Sequence, residues 1–70
     1  MQREFKISCV EDDVDVIANI AFQAGKGSCG LVMSDHDLHT VYGCGNKADA
    51  VRVYSALKRN GIRIRSSEGV

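Results

Sequence analysis

Arg3–Ala24, REFKISCVEDDVDVIANIAFQA, changes its hydrophobic period halfway along, and that change decides the first half of the fold. Up to Val10 the residues alternate, with Phe5, Ile7 and Cys9 on one side and Glu4, Lys6 and Ser8 on the other. This is the pattern of a half-buried strand. From Val14 the period lengthens. At about 100° per residue, the polar side chains Asp15, Asn19 and Gln23 fall in one stripe of roughly 80°. The apolar residues Val14, Val16, Ile17, Ala18, Ile20, Ala21, Phe22 and Ala24 fill the remaining arc of about 240°. A surface helix of a globular domain needs an apolar face little wider than about 100°. The surplus predicts a covering partner. Glu11-Asp12-Asp13 supplies an N-cap and acidic charge for the first turn. Gly25 is expected to end the helix at the C′ position with positive φ.

Beyond this helix, Ser28–Met33 (SCGLVM) and Thr40–Gly43 (TVYG) flank the polar turn Ser34-Asp35-His36-Asp37 and predict a hairpin. Three consecutive apolar residues, Leu31-Val32-Met33, place apolar groups on both faces of its first strand. Asn46 and Asp49 have the spacing of a capping box. The helix they open runs to about Arg59, with Ala50, Val53, Tyr54 and Leu57 on one stripe, and Asn60-Gly61 stops it. A last strand, Ile62–Arg65, turns its isoleucines inward and Arg63 and Arg65 outward. Residues 66–70 are expected to fray, leaving a single compact domain over residues 1–65. The order β-α-β-β-α-β predicts an α+β, ferredoxin-like split βαβ fold: two right-handed crossovers joined by a hairpin, a four-stranded antiparallel sheet in order 4-1-3-2, and both helices on one face.

At 70 residues the chain is near the lower size for a single core. A domain of this length buries only about 60% of its unfolded surface, so self-association is a ready source of further burial. With 44% hydrophobic and 26% charged residues, it is composed like a folded globular domain. Its net charge of zero is unevenly spread. Residues 1–35 hold three basic and six acidic side chains, net −3, and residues 36–70 hold six and three, net +3. Overall neutrality weighs against a general nucleic-acid binder. The opening MQREFKISCVEDD has no apolar run behind its basic residues, and no stretch approaches the roughly 18 apolar residues of a membrane span. Three cysteines, an odd number with no secretory leader, fit the reducing cytoplasm.

Several motifs invite chemistry. Gly25–Gly30 (GKGSCG) matches the letters of a dinucleotide fingerprint, but it follows a helix and leads into a strand, the reverse of the order a pyrophosphate needs. Gly43-Cys44-Gly45-Asn46-Lys47 has the right order for an anion. Strands one and three are taken as adjacent and parallel, however, so both helices are expected to start at the same sheet edge, where Glu11, Asp12 and Asp13 would repel a phosphate. Cys29, His36, His39 and Cys44 cannot share one ion, because the cysteines and histidines lie at opposite ends of the hairpin, roughly 20 Å apart. The histidines read as ordinary residues of a solvated turn.

Cys9, Cys29 and Cys44 are expected at one sheet edge in neighbouring strands about 4.8 Å apart. Three such thiolates, with Asp12 as a fourth ligand, would suit zinc or copper(I); the competing reading is small residues packed under the helix starts. Lys6, Tyr42, Arg63 and Arg65 on the exposed sheet face give the alternative of a nucleic-acid-binding sheet. No nucleophile and base come together, so neither enzyme activity nor a cofactor is expected. The leading expectation is a small cytoplasmic interaction module, a stand-alone regulator or an inhibitor of the kind mobile elements encode. It would form a homodimer or bind a larger protein through Val16, Ile20, Phe22, Leu31 and Met33.

Overall fold

The computed structural model describes residues 3–70. Strand β1 (Arg3–Val10), helix α1 (Val14–Gly25), strands β2 (Cys29–Asp35) and β3 (Leu38–Gly45), helix α2 (Lys47–Arg59) and strand β4 (Arg63–Glu68) follow in that order. The strands form one four-stranded antiparallel sheet ordered β2-β3-β1-β4, which is the expected 4-1-3-2 read from the other edge. β1 and β3 are antiparallel, as an antiparallel sheet requires, which overturns the parallel placement of these two strands used in weighing the anion and cysteine sites. The α1 crossover returns the chain parallel to β1, and the β2–β3 hairpin then reverses it. The two helices therefore start at opposite ends of the sheet.

Alternation along β1 buries Phe5, Ile7 and Cys9, and antiparallel register puts Gly43, Val41 and His39 directly opposite them on the same face. Ile17 and Ala21 of α1 and Ala50, Val53 and Leu57 of α2 close over this face, forming one cluster with Phe5, Ile7, Cys9, Val41 and Ile62. Both helices thus share one side of the sheet. Fully burying an aliphatic side chain of this kind contributes about 1.5–3 kcal/mol. Glycine at position 43 makes room for this packing, since the Phe5 ring occupies the space that a Cβ there would fill.

Local chemistry sets the helix ends. Asp13 caps α1, its carboxylate accepting from the Asp15 N–H at 3.0 Å. At the other end Gly25 is the last helical residue and not the left-handed C′ residue expected. That conformation falls on Lys26 (φ 51°) and Gly27 (φ 93°). Gly25 is needed for room instead, since a Cβ there would stand 2.8 Å from Ser28 Oγ and 2.9 Å from Cys29 Sγ. The Asn46–Asp49 capping box forms as its spacing predicts, with both reciprocal bonds at 2.9–3.0 Å. Helix α2 ends in a Schellman motif: the Ile62 N–H donates to Leu57 O, and the Gly61 N–H (φ 78°) donates to Lys58 O.

Arg52 ties the helices together. Its Nε donates to Ala24 O at 2.6 Å, and its Nη2 donates to Asp49 Oδ1 at 2.6 Å and to Gly25 O at 3.4 Å. The last turn of α1 has no basic residue of its own, so this guanidinium supplies the positive charge that its carbonyl end favours. Arg52→Ala is expected to cost about 1–2 kcal/mol in a urea titration, since two helix-terminal carbonyls and one carboxylate lose their donor. The Arg52 hydrogen bond, with the Asn46 N–H, holds the Asp49 carboxyl below its usual range. A depressed folded-state value stabilises the native form above the unfolded value and is lost as pH falls through the lowered one. Asp49→Asn should therefore flatten the stability profile below about pH 4, leaving a smaller acid-induced drop than in the wild type.

Two sequence expectations need correction at the sheet's margins. The hairpin turn is two residues long, His36-Asp37, with His36 at φ 58°, because Ser34 and Asp35 pair with His39 and Leu38. β4 runs on through Glu68, past a bulge facing Ser8 and Cys9, so Ser66, Ser67 and Glu68 pair with Ser8, Ile7 and Lys6 and do not fray. Val70 packs against the core. No helix among the described residues is long and apolar enough to cross a membrane.

Candidate interaction surface

With both helices on one face, the other face of the sheet is uncovered. Strand parity and register decide what it shows. Lys6 and Ser8 of β1 stand opposite Tyr42 and Thr40 of β3, which stand opposite Leu31 and Met33 of β2. Because Phe5, Ile7 and Cys9 point to the helices, this row points away from them. Leu31 is 51% and Met33 55% exposed, the most exposed of the large apolar side chains among the described residues, while Val32 turns inward against the core. The three-residue apolar run therefore divides between the faces as its pattern implies. A shallow hollow of about 740 Å3 lies on this face, bordered by Lys6, Leu31, Tyr42, Cys44 and Glu68.

The expected interface residues do not form one patch. Leu31 and Met33 lie on the open sheet face. Val16 (40% exposed) and Phe22 (43%) lie on α1, six positions apart and so about 120° apart around the helix. The polar stripe Asp15, Asn19, Gln23 runs between them, and Ile20 is half-buried against the core. The surplus of α1 is thus split between its two flanks. Of the five, Leu31 and Met33 are neighbours on one face, with Tyr42 opposite Leu31 on the adjoining strand.

The nucleic-acid set is also dispersed. Lys6 and Tyr42 are neighbours, but Lys6 Nζ lies 3.4 Å from Glu68 Oε2, so its charge already has a partner. Arg63 pairs with Val10 at the far end of β1, four residues or about 13 Å from Lys6, and Arg65 falls within the bulge. Phe5 is buried on the other face, leaving no second aromatic on the central strands to stack a base.

The cysteine set does not assemble. Cys9 stands opposite His39, whereas Cys44 stands opposite Glu4, five residues or about 17 Å away along β1. Cys29 lies near the Cys44 end, paired with Gly43. The expected shared edge depended on the parallel placement of β1 and β3, which the antiparallel register removes. Asp12, at the start of α1, is likewise remote from Cys29 and Cys44. Among the described residues no group of three or more His, Cys, Asp or Glu could hold a metal ion. The same reversal removes the acidic obstacle to an anion at Gly43–Lys47, since Glu11, Asp12 and Asp13 lie at the other end of the sheet. A different carboxylate takes the site: Asp49 already occupies the Asn46 N–H at the head of α2.

The three thiols differ in environment. Cys9 is buried, and burial pushes its thiol up to about 11. Burial also raises Cys29, which is half-exposed, whereas Cys44 is exposed. A thiol-reactive disulfide reagent at neutral pH should label Cys44 first, Cys29 more slowly and Cys9 only on unfolding. Mass-spectrometric site assignment checks the order.

His39 is the residue whose setting the sequence concealed. It is 4% exposed, its Nδ1 shares a 2.6 Å hydrogen bond with Ser34 Oγ, and its Nε2 has no partner among the described residues. The alternation His39, Val41, Gly43 along β3 was the available signal. His36, by contrast, is fully in solvent at the turn.

Comparison with protein-family models, with curated proteins and with solved structures finds no match to this chain.

Proposed function

We propose that this chain is a small, non-enzymatic interaction module that works by associating with a second copy or with a larger protein through the uncovered face of its sheet. The observation that carries this reading is the exposed pair Leu31 and Met33 beside Tyr42, on the face that neither helix covers. Contiguous apolar groups on an otherwise polar surface favour a partner because water is released when they are covered. The β-α-β-β-α-β order and 4-1-3-2 sheet fit a ferredoxin-like fold, an architecture that leaves one sheet face free for contacts. Three free cysteines suit a cytoplasmic setting. A regulator or inhibitor, including one carried by a phage or other mobile element, is the role such a module would fill.

The test compares wild type with the Leu31→Glu, Met33→Glu double variant by light scattering and by affinity capture from the native cell. Both positions are exposed, so the variant should keep its circular dichroism. Loss of self-association or of the captured protein in the double variant supports the reading. Association that survives both charges, or a wild-type chain that neither self-associates nor captures anything, overturns it.

A further inference from the structure

The two edges of the sheet are built differently. β4 carries Arg63, Arg65 and Glu68 and a bulge, the charged and irregular edge that resists pairing. β2 has no charge from Cys29 to Ser34, exposes Leu31 and Met33, and is regular from Leu31 to Asp35, its one irregularity lying at Gly30. We propose that β2 pairs antiparallel with β2 of a second copy about a two-fold axis at Met33, joining two sheets into one of eight strands. This rests on the interaction-module reading and names its partner and geometry.

Hydrogen-bond parity supports the register. The two-residue turn makes Asp35 and Leu38 a hydrogen-bonded pair, so Met33 and Leu31 also bond to β3. The N–H and C=O groups of Val32 and Ser34 then face the open edge. With the axis at Met33, Val32 meets Ser34 of the second copy and Ser34 meets its Val32, satisfying four donors and four acceptors within the regular stretch. Met33 stands opposite its own counterpart, and Leu31 opposite Asp35 of the second copy, so no like charges face each other. Side chains on the open face merge into one band of Leu31, Met33 and Tyr42 from both copies. On the helix face, a right-handed β1–α1–β2 crossover aims the Phe22 flank of α1 at the β2 edge, which gives that half-exposed ring a partner across the axis. The arrangement is isologous and closed, so it stops at two copies.

The register predicts a specific cross-link. In a Cys44→Ser background, Met33→Cys places two thiols on a non-hydrogen-bonded pair, where Cα atoms are about 4.5 Å apart, within disulfide reach. Oxidised glutathione takes up the two electrons and leaves as two reduced molecules. Leu31→Cys, facing Asp35 of the second copy, is the control. Met33→Lys tests the contact without a thiol by setting two like charges at the axis. It should raise the dimer dissociation constant by about 100-fold in sedimentation, since two apolar contacts are lost and repulsion added.

A wild-type dimer whose Met33→Cys form cross-links far more readily than Leu31→Cys, and which Met33→Lys dissociates, supports the pairing. A dimer in which the two cysteine variants cross-link equally, or which Met33→Lys leaves intact, overturns it. A monomeric wild type that loses a captured protein in the Leu31→Glu, Met33→Glu variant also overturns it, while the broader reading survives. Failure of that double variant to alter any association sinks both.

Discussion

Gly43→Ala is expected to lower unfolding stability by about 3 kcal/mol, because a single methyl group must enter space that Phe5 already fills. Phe5 is 2% exposed, stands directly opposite Gly43, and belongs to one core cluster with Ile7 and the inward residues of both helices. The ring cannot withdraw without displacing part of the core. For a chain of this size the loss corresponds to a fall in Tm of about 15 °C. Trimming the ring should relieve the strain. Phe5→Leu and Gly43→Ala together should therefore cost less than the sum of the single effects, a coupling that a double-mutant cycle measures. Wild-type stability for Gly43→Ala would show that the ring does not need this glycine.

Leu57→Ala is expected to cost about 3–4 kcal/mol, through lost burial and the cavity left behind. Leu57 is fully buried, and its carbonyl accepts the Ile62 N–H that closes the Schellman turn. Leu57 and Ile62 both belong to the core cluster, so the side chain that seals the helix end also carries β4 toward its place beside β1. Val51→Ala on the same helix, at a 42% exposed position, should stay within about 0.5 kcal/mol. Equal effects at the two positions would mean that the inward face of α2 has been misassigned.

Most of the fold was legible because local and long-range signals agree. The two-residue period of Phe5, Ile7 and Cys9, the Asn46–Asp49 capping box and the Asn60-Gly61 stop each name one structure, and each forms. What sequence reading missed lies where pattern does not specify geometry. Gly25 reads as a left-handed cap by residue type, but its reason is the closeness of Ser28 and Cys29, which only packing reveals. Ser66-Ser67-Glu68 lacks a strand pattern, and pairing with β1 supplies its order. His39 looks like a turn residue because histidine is polar, yet its register opposite Cys9 puts it inside. The metal set failed through one topological error, a parallel placement of β1 and β3 that the hairpin forbids. Surface exposure was half legible: the open-face placement of Leu31 and Met33 follows from alternation in β2, whereas grouping them with Val16 and Phe22 required a helix orientation that composition does not give.

Residue-resolved amide hydrogen exchange decides whether the open face and the β2 edge are where this chain makes its contacts. The chain is measured at low and high concentration, and again with any captured protein. Association through the open face and the β2 edge predicts slowed exchange at Val32 and Ser34, whose N–H groups otherwise face solvent, with little change on the outer surfaces of the helices. New protection on the outer faces of α1 and α2, with Val32 and Ser34 exchanging as freely as in the isolated chain, would contradict it.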